Sequence, residues 1–152
     1  MVDTRRLEKD IARGATIVLD TPVLIAYLEG KQAITEAATF MVDSMIHSGR
    51  NRAIVSTISA AELLVGVKRA QREENAVLDF LTHFQNVECV PVDLRTAREA
   101  AGIRARTNLK VSDSIILAVG ALRANSVVAT NDRAWANKCP DMSIVTLMEF
   151  SS

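Results

Sequence analysis

Four acidic residues stand where the sequence predicts that strands end or helices begin. Asp20 directly follows the apolar run TIVL, Glu62 lies early in a helical pattern after the second such run, and Asp132 follows VVATN. Asp113 follows the polar segment NLKVS and opens the apolar pattern DSIILAVGAL, so its position relative to the other three stays open. If the fold brings these carboxylates together, their repulsion requires a cation. Oxygen ligands without a neighbouring His or Cys favour Mg²⁺ or Mn²⁺ over zinc.

Each acid also has an explanation in helix capping. Thr21 is typical of an N-cap followed by Pro at the first helical position, beside which Asp20 is a favourable anion. Ser59 and Glu62 have the spacing of a capping box. The remaining capping candidates are Ser112, before Asp113, and Asn131, before Asp132. Taken singly, capping is the favoured interpretation of each acid. Since helix N-termini stabilise anions, both interpretations predict low pKa values for all four.

The elements that must position these acids follow from apolar periodicity. Nearly continuous apolar runs predict strands at 15–19, 53–57, 86–92, 126–130 and 142–147. Helical patterns predict helices near 5–13, 22–29, 33–48, 59–70, 73–85, 94–107, 112–124 and 132–138. Such strands are typical of a parallel sheet that is buried on both faces. We therefore expect a three-layer α/β fold with right-handed crossovers, and a mobile loop at the polar stretch 104–110.

The composition bounds the classes of function. With 152 residues and 49% hydrophobic residues, we expect a single domain over 1–152, in which 1–15 form an N-terminal helical extension. Lys plus Arg and Asp plus Glu both total 18, so a polyanion would have to bind a local basic cluster. Cys89 and Cys139 lack the spacing of a metal site. Without a signal-like or membrane-length apolar run, we expect a soluble, cytoplasmic protein.

Four segments carry a resemblance to a known family. The strings IVLDTPVLIAYL, STISAAELLVGV, SDSIILAVGAL and VVATNDRAW resemble, in order and spacing, the signature of the PIN-domain ribonucleases, and most closely the toxins of VapBC-type toxin–antitoxin pairs. The resemblance runs from about Thr16 to the C-terminus. It implies a three-layer PIN-like α/β fold with a central parallel sheet of about five strands flanked by helices. It also implies a metal-dependent endoribonuclease that is the toxin of a type II pair.

The resemblance assigns roles to particular residues. The catalytic and metal-binding residues would be Asp20, Glu62, Asp113 and Asp132, holding one or two Mg²⁺ or Mn²⁺ ions. Asp20 and Asp113 would be direct ligands, Asp132 would complete the site, and Glu62 would coordinate directly or through water and orient the nucleophile. The supporting residues would be Thr21, Thr130 and Asn131. The sequence departs from the family pattern at Thr21-Pro22, where Ser or Asn is usual, and at Val111, where Pro is frequent.

The resemblance also implies partners. We expect a homodimer, a cognate antitoxin protein and an RNA substrate, with no membrane association. Basic residues that could contact RNA phosphates are Lys68, Arg69, Arg72, Arg104, Arg106 and Lys110. Because aromatic residues make up only 4% of the chain, base stacking is limited, and a structured RNA such as tRNA is the preferred substrate.

Two alternatives remain open. A receiver-like phosphoswitch would use Asp93 after the third strand and Thr130 after the fourth, but it needs a second acid beside Asp20 and a Lys after the last strand. Position 21 is Thr, and MSIVTLMEFSS contains no Lys. A catalytically inactive PIN-type binding protein is the other alternative. The presence of all four acids argues against it, since clustered carboxylates cost stability unless they are used.

Overall fold

Five parallel strands form one sheet in the computed structural model, which describes residues 1–151. The strands are β1 Thr16–Leu19, β2 Arg52–Ser56, β3 Val87–Val90, β4 Ser126–Thr130 and β5 Ile144–Thr146. Their order is β3-β2-β1-β4-β5, and every pairing between neighbours is parallel. This order places β1 at the centre of the sheet and β3 and β5 at its edges.

Within the described residues, eight α-helices surround this sheet. They are α1 Thr4–Asp10, α2 Thr21–Glu29, α3 Thr35–Thr39, α4 Thr57–Arg69, α5 Asn75–His83, α6 Leu94–Thr107, α7 Val111–Ala121 and α8 Arg133–Lys138. A π-helical segment, Phe40–Ile46, continues α3, and a 3₁₀ turn, Leu147–Phe150, follows β5. Within residues 1–151, none of the helices has the length and apolar character needed to cross a bilayer. The predicted α/β fold class is confirmed.

Successive residues of the central strands face two different helical layers. Ile17 and Leu19 pack with apolar residues of α1 to α5, whereas Val18, between them, packs with α6, α7 and α8. Both packed layers are buried, which gives the three-layer architecture. Strand β3 differs, because Glu88 is exposed at the edge of the sheet. The prediction that all five strands are buried on both faces is therefore wrong for β3.

The polar stretch 104–110 is more ordered than predicted. Helix α6 continues through Thr107, and Asn108 then ends it in the left-handed conformation, with φ of 60°. The Arg104 guanidinium donates to the carbonyls of Asn108 and Leu109, at 2.7 and 2.8 Å. These bonds satisfy carbonyls that a helix end leaves without partners. The predicted mobile loop is therefore a capped helix end followed by a short connection.

The N-terminal extension packs against the C-terminal turn. Leu7 and Ile11 are buried in the same core cluster as Phe150. The Asp3 N–H donates to the Phe150 carbonyl at 2.7 Å, and the Arg6 guanidinium donates to the Glu149 carbonyl at 2.9 Å. Helix α1 ends at Asp10, three residues earlier than predicted. The extension is thus part of the packed structure.

Candidate metal-binding active site

Asp20 lies at the carboxyl end of the central strand. Its backbone N–H donates to the Ala129 carbonyl of β4 at 3.0 Å, and its side chain is 4% exposed. One carboxylate oxygen, Oδ1, accepts the Thr21 N–H at 2.8 Å, and the other, Oδ2, accepts the Thr130 hydroxyl at 2.8 Å. The N-cap of α2 is therefore Asp20, one residue before the predicted Thr21.

The environment of Asp20 opposes its charge. Burial raises the pKa of Asp20 to about 7, because the ionised carboxylate loses the stabilisation of water. Hydrogen bonds from Thr130 and Thr21 lower this pKa, while the charges of Asp113 and Glu62 raise it further. The predicted low pKa is wrong for Asp20, since desolvation at the centre of the sheet outweighs the helix N-terminus. A bound cation would offset this cost.

A chain of hydroxyl groups connects the start of α2 to Glu62. The Thr21 Oγ1 atom lies 2.8 Å from Glu62 Oε1 and 3.0 Å from Ser59 Oγ. Because a carboxylate only accepts hydrogen bonds, the single Thr21 proton goes to Glu62, and the Ser59 hydroxyl donates to Thr21. The N-cap of α4 is Ser56, so Ser59 lies inside the helix and the predicted capping box is wrong. Thr21 instead orients Glu62 beside Asp20.

Thr130 joins the first acid to the fourth. Its buried hydroxyl, which donates to Asp20, also accepts the Asp132 N–H at 3.0 Å. Asp132 is the N-cap of α8, since its Oδ1 accepts the Ala134 N–H at 3.0 Å. One hydroxyl therefore fixes the start of α8 relative to the Asp20 carboxylate.

Asn131 has a different role from the one that capping predicts. Its side-chain oxygen accepts the Met148 N–H at 3.2 Å, which anchors the C-terminal 3₁₀ turn to the loop after β4. Asn131 thus stabilises the loop that carries Asp132, and the cap of α8 is Asp132 itself.

Asp113 occupies the first turn of α7 and is half-buried. Burial raises the pKa of Asp113, the nearby Lys110 lowers it, and the charges of Asp132 and Glu62 raise it. The predicted low pKa is therefore wrong for Asp113 as well. Helix α7 begins at Val111 without a side-chain cap, so the predicted capping role of Ser112 is also wrong. The sequence left the location of Asp113 open. Because the charges of Asp132 and Glu62 affect its pKa, Asp113 lies near these two acids.

Two residues near the acids were missed by sequence reasoning. The sequence predicts only a capping role for Ser59, although its spacing of three residues from Glu62 places both on one helix face. Trp135 follows Asp132 by three residues, and its buried indole lies close enough to the Asp113 carboxylate to lower that group's pKa. In both cases, helical spacing from a predicted catalytic acid was the available signal.

The donor chemistry of this edge fits a hard cation. All the candidate ligands are carboxylate oxygens, and the buried Asp20 anion carries a desolvation cost that a divalent ion would offset. Among residues 1–151, no three Asp, Glu, His or Cys side chains are already grouped closely enough to hold one metal ion. The arrangement is a set of interacting acids at one sheet edge whose side chains are not yet gathered around a single point.

The predicted RNA-contacting residues fall into two groups. At the end of α4, Lys68 lies 2.8 Å from Glu74, Arg72 lies 3.2 Å from Glu29, and Arg69 is exposed. These two ion pairs are on the surface, where such pairs contribute little and exchange readily with other anions.

The second basic group surrounds the end of α6. The Arg104 guanidinium donates to carbonyls at the end of its own helix. Lys110 is exposed, and its charge lowers the pKa of Asp113. Arg106 is exposed, and its charge lowers the pKa of Cys139, which burial raises. Lys110 is therefore the predicted RNA-contacting residue that the structure links most directly to the acids.

The positions of Asp93 and Asp20 argue against the receiver-like alternative. Asp93 follows the edge strand β3 and caps α6, accepting both the N–H and the hydroxyl of Thr96, at 2.8 and 2.7 Å. Strand β2 separates β3 from β1, so Asp93 and Asp20 are not on neighbouring strands. The acids that affect the charge of Asp20 are Asp113 and Glu62.

Solved structures show similar folds. A chain of the FitAcB structure from Neisseria gonorrhoeae covers 87% of this chain and 98% of its own length, with a TM-score of 0.66 and 23% identity. For VapBC2 from Rickettsia felis bound to a promoter DNA fragment, the coverages are 86% and 98%, with a TM-score of 0.67 and 17% identity. For VapBC-5 from Mycobacterium tuberculosis, a member of the VapBC family of toxin–antitoxin systems, they are 87% and 97%, with a TM-score of 0.57 and 28% identity. The curated proteins contain no significant sequence match.

The fold and the acids define an α/β protein with interacting acids at the carboxyl edge of a parallel sheet. Residues 17–139 match the sequence pattern described as the PIN domain. Since that match covers most of the chain, the protein belongs to the PIN domain family, as the four sequence segments indicated. The match begins after the N-terminal extension, which the structure shows packed against the C-terminal turn.

Proposed function

We propose that this protein is a Mg²⁺- or Mn²⁺-dependent endoribonuclease that acts in the cytoplasm as the toxin of a type II toxin–antitoxin pair. The observation that carries the proposal is the buried Asp20 carboxylate, whose pKa is raised by burial and by the charges of Asp113 and Glu62. On a PIN domain, acids that interact in this way are well suited to bind a divalent cation and a phosphodiester.

The proposed roles follow from the contacts of each acid. Asp20 and Asp113 would be the direct ligands, because their carboxylates are the more buried ones and carry raised pKa values. Glu62, oriented by the Thr21 hydroxyl, would hold and direct the attacking water, and Asp132 would complete the site from the start of α8. When bound, one or two divalent ions would acidify a water molecule and stabilise the departing 3′ oxygen.

The proposed substrate is a structured RNA such as tRNA. Lys110 lies beside the acidic site, and Arg69 is exposed on α4, the helix that carries Glu62. Phosphate contacts of this kind position a nucleic acid without reading its bases. The aromatic residues Tyr27, Phe80 and Phe84 pack against one another, with ring centres 4.8 to 6.2 Å apart, which limits their use as stacking surfaces.

The proposed protein partners are an antitoxin and a second copy of this chain. Support comes from the matched structures, whose descriptions include a toxin–antitoxin complex from Klebsiella pneumoniae. A short neighbouring gene that encodes a DNA-binding N-terminus would identify the antitoxin, and its product should copurify with this protein. Light scattering of the purified protein tests for the homodimer, which has twice the 16.6 kDa mass of the chain.

The direct test is cleavage of a tRNA mixture by the purified protein in Mg²⁺ or Mn²⁺. Asp20→Asn and Asp113→Asn should each lower the rate by about a thousandfold or more, because each removes a charged ligand worth several kcal/mol in the transition state. Excess EDTA should abolish cleavage by the wild type, and the measurement is the initial rate from labelled RNA on denaturing gels.

Asp93→Asn is the matched control. Asp93 is also an N-cap aspartate that follows a strand, but it lies outside the acidic cluster, so this variant should cleave within about twofold of the wild type. Equal rates for the wild type and both site variants would disprove the proposal. Full activity in EDTA would also count against a metal-dependent reaction.

A further inference from the structure

The Trp135 indole N–H is a buried donor without an acceptor. Trp135 is 1% exposed, and within residues 1–151 its Nε1 is the only buried side-chain nitrogen or oxygen that makes no hydrogen bond. A buried donor without a partner carries a free-energy cost, and tryptophans in protein interiors usually find an acceptor. The position of this donor is therefore informative.

The neighbouring acceptor is the Asp113 carboxylate. Trp135 lies on α8, one turn after Asp132, and its ring packs in the same core cluster as Ile116, which lies one turn after Asp113 on α7. The indole is close enough to lower the pKa of Asp113, although no hydrogen bond of normal geometry is formed. The Asp113 carboxylate is the acid on which this donor acts.

We propose that Trp135 is a positioning residue for Asp113, donating its indole N–H to one carboxylate oxygen when the other oxygen binds the divalent cation. The inference rests on the proposed function, because it requires Asp113 to be a ligand. An indole N–H only donates, so it binds a carboxylate oxygen and never the cation itself. Loss of a group that hydrogen-bonds to a metal ligand typically weakens metal affinity by 10- to 100-fold.

Two variants distinguish the contribution of the indole N–H from that of the aromatic packing. A phenyl ring keeps an aromatic side chain in the core cluster that contains Ile116 but offers no donor, so Trp135→Phe removes the hydrogen bond and part of the packing. Ile116→Val, on the helix that carries Asp113, removes packing alone and is the matched control. A variant that loosens the core without changing Mn²⁺ affinity shows that packing is not what sets the affinity.

The experiment measures Mn²⁺ affinity by the electron paramagnetic resonance signal of free Mn²⁺, at one pH, with circular dichroism as a check of folding. Trp135→Phe should bind Mn²⁺ about tenfold more weakly than the wild type, whereas Ile116→Val should bind as the wild type does. If Trp135→Phe does not fold, a benzothienylalanine at this position, which has sulfur in place of the N–H, provides the same comparison.

A second readout uses the wild-type protein alone. Trp135 is the single tryptophan of the chain, so its emission reports on this indole without interference. Mg²⁺, which does not quench indole fluorescence, should shift the emission in wild type and leave it unchanged in Asp113→Asn. An unshifted emission at saturating Mg²⁺ would contradict the predicted hydrogen bond.

The outcomes distinguish the two proposals. If the wild type binds Mn²⁺, Asp113→Asn does not, and Trp135→Phe binds as tightly as the wild type, the role of Trp135 is overturned and the proposed function stands. If the wild type and Asp113→Asn bind Mn²⁺ equally or not at all, the proposed metal site itself is wrong.

Discussion

Asp20 and Asp93 are capping aspartates in two different regions of the sheet. Each follows a parallel strand, caps the next helix, and accepts one backbone N–H and one threonine hydroxyl. Asp93 stands after the edge strand β3 and is exposed, and the hydroxyl and N–H of Thr96 lower its pKa. Asp20 stands after the central strand, where burial raises its pKa to about 7.

Hydrogen bonds alone therefore do not set the charge of a capping aspartate. Asp20 and Asp93 have comparable donors, but only Asp20 loses its contact with water and faces other carboxylates. A helix N-terminus stabilises an anion by a modest free energy, and the cost of burying a charge is larger than this stabilisation. Burial thus makes the ionised form of Asp20 costly, whereas the exposed Asp93 bears no such cost.

The largest effect on stability is expected from the substitution of Asp20. In EDTA at pH 8, Asp20→Asn should raise the free energy of unfolding by about 2 to 4 kcal/mol, because a neutral amide replaces a carboxylate whose pKa burial raises to about 7. Between pH 4 and 7 the folded wild type holds a proton that the unfolded chain has lost, so its stability falls as pH rises. Urea denaturation across this range measures the effect, which should vanish below pH 4.

Asp93→Asn should change stability in the opposite direction. Because the pKa of Asp93 is lowered in the folded state, its ionised form contributes stability above its ordinary pKa of 3.8, and this contribution is lost as pH falls through the lower folded value. The Asn variant should therefore be slightly less stable than the wild type at pH 8. A loss of stability in Asp20→Asn, like that in Asp93→Asn, would contradict the assigned cost of burial.

The two threonines that serve these aspartates give a sharper comparison. Thr130→Val removes the hydroxyl that donates to Asp20 and accepts the Asp132 N–H, and it should lower stability by about 1 to 3 kcal/mol. Thr96→Val should have a smaller effect, because water can replace its hydroxyl at the exposed Asp93. Thermal denaturation of both variants at pH 8 in EDTA checks the order, and an equal loss would show that burial does not distinguish the two sites.

Added Mg²⁺ should distinguish the two aspartates directly. At about ten times its Kd, Mg²⁺ should stabilise the wild type and Asp93→Asn by about 1.4 kcal/mol each, since it binds only the folded state. Asp20→Asn should not respond. Differential scanning fluorimetry with matched NaCl concentrations measures the shift, and equal responses from all three proteins would indicate nonspecific ionic stabilisation.

Much of the fold was predictable, because the signals that specify it are local. The apolar run 126–130 and the helical pattern 94–107 match β4 and α6 at both ends. The four segments with their acids predicted the PIN domain, which the match over 17–139 confirms. The assignment of Asp20, Glu62, Asp113 and Asp132 as catalytic and metal-binding residues stays a prediction.

The charge state of the acids could not be predicted, because burial is a property of the whole fold. Nothing near Asp20 in the sequence shows that β4 lies beside β1, where Thr130 reaches the carboxylate. The capping interpretations failed for a related reason. Glu62 accepts a hydrogen bond from Thr21, 41 residues away, and this distant partner replaces the capping box that the local spacing predicts.

The packing of the N-terminal extension has a practical consequence for protein engineering. Val2 and Ser151 form an antiparallel bridge, and the Asp3 N–H binds the Phe150 carbonyl, so the two ends of the described chain lie side by side. A short linker could join them, and new ends could be opened in an exposed connection such as 71–73. Circular permutants of this kind would move fusion partners to a chosen face while leaving the carboxyl edge of the sheet intact.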